Sequence, residues 1–250
     1  MISLVVPAAG CGARANLNGN KILAPLLGKP LLWHTLRGLT ELFVSPKYNR
    51  ISNTSTVEVL IAARRDEWET VQSVWNDLAL PLPFRLVEGG ATRQDSVRSA
   101  VEAARGKYVA VHDAARPAVT AELFERVFEA AQRCGAAIPA LPVSDTVKQA
   151  RAGSTDETSI AQTLARETIF LAQTPQIFRR AILLEAFESA ARNGFVGTDC
   201  SSLVERLTSL DGTPKYAVAL ARGDERNLKV TYAADIERAA AYLSQGETHV

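Results

Sequence analysis

Five stretches of strand length, Ile2 to Val6, Val57 to Ala62, Phe84 to Val87, Tyr108 to His112 and Ala137 to Leu141, are apolar along most of their length. Between them the apolar positions change to helical spacing. Leu32, Leu36, Leu39 and Phe43 share one face, Val97, Ala100, Val101 and Ala104 another, and Leu123, Val127 and Ala131 a third, with Thr120 placed to cap that helix. Strands apolar on both faces and separated by helices predict a parallel sheet covered on both sides, an α/β sandwich with right-handed crossovers.

From Val143 to Gln162 this pattern fails. The stretch is polar, carries Gly153, Ser154 and Thr155 at its middle and has strand-suited residues at both ends. It predicts a long hairpin over 143–165 that leaves a single domain spanning 1–250. A lone two-stranded hairpin is marginal in water, so this arm is expected to pack on a second copy of the chain. Helical spacing resumes over Ala181 to Ala191 and Ala233 to Leu243, with a strand-like Tyr216 to Leu220 between them, and Val44 to Thr56 reads as a polar loop.

The chain has 250 residues and a formal net charge of +1, so no basic surplus points to nucleic acid or an anionic membrane. Any anion site must therefore be a local gathering of Lys and Arg. Cys11, Cys134 and Cys200 are odd in number and lack metal-ligand spacing, which argues against a disulfide frame or zinc site. No apolar run reaches the roughly 20 residues that span a bilayer, and no targeting pattern follows Met1; the expectation is a cytoplasmic protein acting on small molecules.

The chemistry begins after the first strand, where open α/β sheets place their ligands. Gly10-Cys11-Gly12-Ala13-Arg14-Ala15 satisfies the dinucleotide fingerprint G-x-G-x-x-A, but that fingerprint also needs an immediate helix and an acid about 20 residues on. Here Asn16 to Asn20 delay the helix, and no acid precedes Glu41. A nucleoside triphosphate site fits better: Ala8, Ala9 and Gly10 admit base and ribose, Gly12 frees amides for phosphate, and Arg14 and Lys21 supply charge. The same glycines could instead form a simple turn beside two solvated cations. Gly89 and Gly90, between a strand and a helix, could lie against a nucleobase or merely turn the chain. Asp113 ends a buried strand, where it could meet Mg²⁺ or a substrate hydroxyl; Arg116 could bind substrate or pair with Asp113. His112 reads as a core histidine.

Together these residues resemble the 2-C-methyl-D-erythritol 4-phosphate cytidylyltransferases of the non-mevalonate isoprenoid pathway. The likeness runs in order through "VPAAGCGAR", Lys21 with "PLLGKPLL", "GGATRQDSV", "VHDAARP", "PVSDTVK", "QTPQIF", "TDCSSLVE" and "NLKVT". It implies a GT-A-like fold, Mg²⁺, a homodimer joined through the arm, and attack of methylerythritol phosphate on the α-phosphate of CTP. Arg14, Lys21, Arg166 and Lys229 would be catalytic. Ala8, Ala9, Gly10, Gly12, Gly89, Gly90, Ser96, Asp113 and Ala114 would bind CTP, and Arg116, Thr146, Thr174 and Thr198 the sugar-alcohol phosphate, with Thr146 and Arg166 reaching the neighbouring subunit's site. The chain departs from the family pattern at Asn20-Lys21-Ile22, where Pro-Lys-Gln is common, at Ala15, at Cys200, where an acid is usual, and at Tyr232. Ribitol-5-phosphate cytidylyltransferases are the nearest rival; they typically open with Ala-Gly-Gly, whereas this chain has Ala8-Ala9-Gly10. A noncatalytic nucleotide-binding module of the same fold is the rival from another class.

Overall fold

The computed structural model describes residues 1–10, 20–45, 57–151 and 159–246. In chain order its strands are β1 (Ile2–Pro7), β2 (Pro25–Leu26), β3 (Lys29–Pro30), β4 (Val57–Ala63), β5 (Phe84–Glu88), β6 (Tyr108–Val111), β7 (Ala136–Pro142), β8 (Lys148–Ala150), β9 (Ile160–Thr163), β10 (Phe170–Ala172), β11 (Gln176–Arg179) and β12 (Ala219–Arg222). The α-helices are α1 (Leu31–Val44), α2 (Trp68–Leu78), α3 (Arg93–Ala103), α4 (Ala121–Cys134), α5 (Arg180–Arg192), α6 (Ser201–Val204) and α7 (Ala233–Gly246).

The main sheet runs β10-β7-β11-β6-β1-β4-β5, with β12 also paired to β7. β6, β1, β4 and β5 are mutually parallel, as their apolar character predicts. Beyond β6 the sheet changes sense: β11 is antiparallel to both β6 and β7, and β10 is antiparallel to β7. The last strand lies at Ala219–Arg222, a few residues after the expected Tyr216 to Leu220, where its register against β7 carries Leu220 opposite Ile138. Within the polar stretch β8 and β9 pair antiparallel as a separate two-stranded sheet exposed along its length, while Gly153, Ser154 and Thr155 lie outside the described residues. Most of the loop expected over Val44 to Thr56 lies outside the described residues; Val44 itself closes α1.

Side chains alternate across the sheet and seed two cores. Ile2, Leu4 and Val6 of β1 and Val59 and Ile61 of β4 face α1, α2 and α4, whereas Val5, Leu60 and Ala62 face α3, α5 and α6. Helix α4 begins where Thr120 accepts a hydrogen bond from the Leu123 amide and ends at Gly135, whose φ of 87° suits a residue without a Cβ. A third, smaller cluster of Leu26, Leu31, Ala115, Val230 and Ala239 anchors α7 and the segment before it to the body. That cluster sets the position of Lys229.

Phe124 joins α4 to α1 by edge-to-face contact with Phe43, ring centroids 5.4 Å apart, and is 1% exposed. Phe124→Ala removes that contact and leaves a cavity between the helices. Urea unfolding should show a loss of about 3–5 kcal/mol with an unchanged m-value.

Candidate nucleotide site

The parallel strands send their following loops to one edge, and a cavity of about 600 Å³ opens there. Ala8, Ala9, Gly10, Lys21, Gly90, Ser96, Asp113, Ala114 and Lys229, all singled out by the sequence, line it. Ile22, Arg64, Thr92 and Arg93 join them. Gly12 and Arg14 lie outside the described residues.

The turn after β5 is compact for an identifiable reason. A Cβ on Gly89 would collide with the Cβ of Ala9, so glycine lets the β5 turn close against the loop after β1. The Ser96 hydroxyl accepts from the Gly90 amide at 3.1 Å and donates to the Thr92 carbonyl at 2.9 Å, holding the turn to the first residues of α3. Thr92 and Asp95 complete that start as a capping box, each side chain accepting from the other's amide.

Asp113 sits just beyond β6 and carries the densest electrostatics. Its Oδ1 takes Arg93 at 2.8 Å, its Oδ2 takes Lys229 at 2.8 Å, and Arg116 Nε stands 3.9 Å from Oδ2. Burial by itself would raise the Asp113 carboxyl, but the charges of Arg93 and Lys229 overturn this and hold it well below the usual carboxylate range. For Arg93, burial pulls down and Asp113 more than compensates, so the guanidinium titrates above its ordinary value. Burial lowers Arg116, which has no such close carboxylate. Lys21 leaves a short 3₁₀ turn, Lys21–Leu23, and donates from Nζ to the Val230 carbonyl at 2.8 Å, next to Lys229.

Other expected residues lie elsewhere. Arg116 is buried behind Asp113 and donates to the Asn227 carbonyl at 2.7 Å. The Thr174 hydroxyl is buried, accepting from the Asp113 amide at 3.0 Å and meeting His112 Nδ1 at 3.0 Å. Thr146 and Thr198 are exposed, and neither belongs to the cavity lining. Arg166, also outside the lining, donates to the Ser144 carbonyl at 2.7 Å within the base of the arm. Sequence reasoning missed Arg93 and Arg64. For Arg93 a signal existed: a cation in the first turn of a helix opposes the helix dipole and needs a compensating anion, here Asp113.

His112 is fully buried between Thr174 and the Arg116 carbonyl, and burial pushes its pKa from 6.5 down to about 4. The folded chain therefore refuses a proton that the unfolded chain accepts, so stability falls as pH drops from about 6.5 towards 4. The slope from this group reaches about 1.4 kcal/mol per pH unit. Urea denaturation should show this group removing about 2 kcal/mol between pH 7 and pH 5 in the wild type, most of it below pH 6, and His112→Gln should lack that loss.

The family model described as 2-C-methyl-D-erythritol 4-phosphate cytidylyltransferase matches residues 2–245. A protein of that name from Solibacter usitatus (strain Ellin6076) is 36% identical over 253 aligned residues, covering 98% of this chain and 96% of the relative. Among solved structures, 2-C-methyl-D-erythritol 4-phosphate cytidylyltransferase from Thermus thermophilus superposes with a TM-score of 0.71 at 35% identity, covering 97% of this chain and 98% of that one. The 4-diphosphocytidyl-2C-methyl-D-erythritol synthase from Anaerococcus prevotii reaches 0.76 at 26% identity, with 97% and 98% covered. Near-complete coverage in both sequence and fold places this chain in the 2-C-methyl-D-erythritol 4-phosphate cytidylyltransferase family.

Proposed function

We propose that the chain transfers the cytidylyl group of CTP to the phosphate of 2-C-methyl-D-erythritol 4-phosphate and releases pyrophosphate. The observation that carries this reading is the charge of the cavity: Lys21, Arg64, Arg93 and Lys229 line it against one carboxylate, Asp113, among the described residues. A polyphosphate is the small-molecule class such an imbalance favours.

In this reading the base lies against Gly89 and Gly90, under the turn that Ser96 fixes, and Ala8, Ala9, Gly10 and Ala114 pack the nucleoside. The triphosphate runs towards Lys21, joined by Gly12 and Arg14 of the loop before it. Lys229 receives the attacking phosphate from the opposite side. Two phosphate groups approaching in a partly dry site repel strongly, and the charge on the α-phosphorus oxygens grows as the fifth bond forms. Cations fixed on both sides of that centre stabilise the transition state more than the separated ligands. The attacking oxygen bonds to the α-phosphorus as the bond to the β-phosphate oxygen breaks, with the electron pair leaving on pyrophosphate. No enzyme side chain becomes covalently attached.

Mg²⁺ belongs to the reading as the nucleotide's counter-ion. Among the described residues no group of three or more His, Cys, Asp or Glu could hold a metal, and both oxygens of Asp113 already serve cations. This donor set suits a cation carried in by the phosphates, with Asp113 as one protein ligand in exchange for Lys229. Bound there, Mg²⁺ would offset negative charge on the phosphate oxygens.

The sugar phosphate would be completed by a second subunit. Thr146 and Arg166 stand on or beside the exposed arm and outside their own chain's cavity, which supports a role in the neighbouring subunit. Arg116, Thr174 and Thr198 would act at the same end, Arg116 and Thr174 by shaping the floor around Asp113.

Incubation with CTP, Mg²⁺ and methylerythritol phosphate should yield CDP-methylerythritol by mass spectrometry, with ribitol 5-phosphate giving little product; the reverse preference would overturn the substrate assignment. Lys21→Ala should lower kcat by about 100-fold or more with the KM for CTP changed much less, since its contact is strongest in the transition state. Mixing Lys21→Ala with Arg166→Ala chains should restore activity, because a hybrid dimer holds one site with both residues intact. No recovery after verified subunit exchange would refute the shared site.

A further inference from the structure

Lys21 is carried by a 3₁₀ turn of three residues, and its Nζ reaches the Val230 carbonyl at 2.8 Å. The turn itself is tied to the body by side chains that the sequence motifs do not mark. Asn20 precedes the turn and its Oδ1 accepts from the Ile22 amide at 3.4 Å. Its Nδ2 donates to the Ala8 carbonyl and to Glu67 Oε2, both at 3.0 Å. The other oxygen of Glu67 accepts from Arg64 at 2.8 Å. Asn20 and Glu67 are buried, at 8% and 7% exposure, while Arg64 reaches out to line the cavity.

These bonds connect the Lys21 turn to the ends of two sheet strands. Ala8 follows β1 and donates its own amide to the Ala62 carbonyl of β4 at 2.7 Å, and Glu67 closes the 3₁₀ turn that follows β4. We propose that Asn20 and Glu67 are positioning residues for Lys21: together they brace its turn against β1 and β4, and Arg64 holds the Glu67 carboxylate in place from the cavity side. The inference rests on the functional reading above, in which Lys21 acts on the α-phosphate.

The physical reason for the brace is geometric. A charge aimed at a transition state loses much of its effect when displaced by an ångström, so a buried, fully partnered amide and carboxylate behind the lysine affect rate more than binding. A structural role would lower stability alone; a positioning role acts through Lys21.

Steady-state kinetics with CTP and methylerythritol phosphate test this. Asn20→Ala and Glu67→Ala should each lower kcat by about 10- to 100-fold with the KM for CTP within about 3-fold. Glu67→Gln, which keeps an oxygen for Asn20 Nδ2, should recover part of that loss. In a Lys21→Ala background, Asn20→Ala should cost less than about 2-fold more, because the residue it positions is gone. Should the alanine variants fail to fold, Asn20→Ser carries the test: it keeps a capping oxygen but cannot reach Glu67, and it should show the same fall in kcat. Wild-type turnover in Asn20→Ala or Asn20→Ser, or an undiminished effect in the Lys21→Ala background, overturns the positioning role. A wild-type enzyme that releases no pyrophosphate from CTP overturns the functional reading itself, an outcome separate from the variants' behaviour.

Discussion

A carboxylate almost shut off from water and shared among cations is the constraint around which the site is organised. Asp113 stands at the end of β6, Arg93 opens α3, and Lys229 arrives from the far end of the chain, 116 positions away in sequence. Removing one partner of such a cluster leaves an uncompensated charge in a low-dielectric place, which costs far more than the pair contributes to stability. Asp113 thus decides where Arg93 and Lys229 stand. Without an anion between them, Arg93, Arg116 and Lys229 would repel one another and the cleft would spread.

The sheet explains how residues so distant meet. Parallel β5, β4, β1 and β6 deliver their loops to one edge, which brings the Gly89 turn, the Ala8 loop and Asp113 together. The change of sense at β11 adds what a purely parallel sheet would not. It runs the preceding Gln173 and Thr174 back beside Asp113, and Gln173 bonds to Asp224 while Asn227 Nδ2 donates to the Thr174 carbonyl at 2.7 Å. Those contacts shape the segment leading to Lys229, and the Val230 amide then pins it to the Ala115 carbonyl at 2.8 Å. Lys229 is aimed by backbone that the antiparallel strand has arranged.

Much of this was legible beforehand, and the division has a physical cause. Buried parallel strands and amphipathic helices such as β4 and α4 announce themselves because burial imposes a pattern on every residue. β10 and β11 escaped since they are three and four residues long and antiparallel, leaving too little sequence for a period to show. Helix α2 was missed for a related reason: Val71, Val74 and Trp75 are buried, but the rest of its surface is polar. In the site, glycines and motif cations were readable from local chemistry. The exchange of partners among Asn20, Glu67 and Arg64 was not, because a hydrogen bond across 47 residues leaves no trace in spacing.

Burial also narrows the chemistry that the neighbourhood of the cleft can perform. Among the described residues near Asp113, Cys200 contributes a thiol and His112 an imidazole. The Cys200 thiol is pushed up to about 11 by burial, against the pull of Arg93, so near neutral pH it keeps its proton and is a poor nucleophile. His112, drawn down to about 4, holds no spare proton to give, and its ring nitrogens are occupied by Thr174 and the Arg116 carbonyl. Neither lines the cavity. A direct displacement between two phosphates asks for neither group: the nucleophile arrives already anionic, and the leaving group is stabilised by charge. In the proposed reading the lysines and arginines that face the cavity act by their fixed position, and no proton transfer is asked of them.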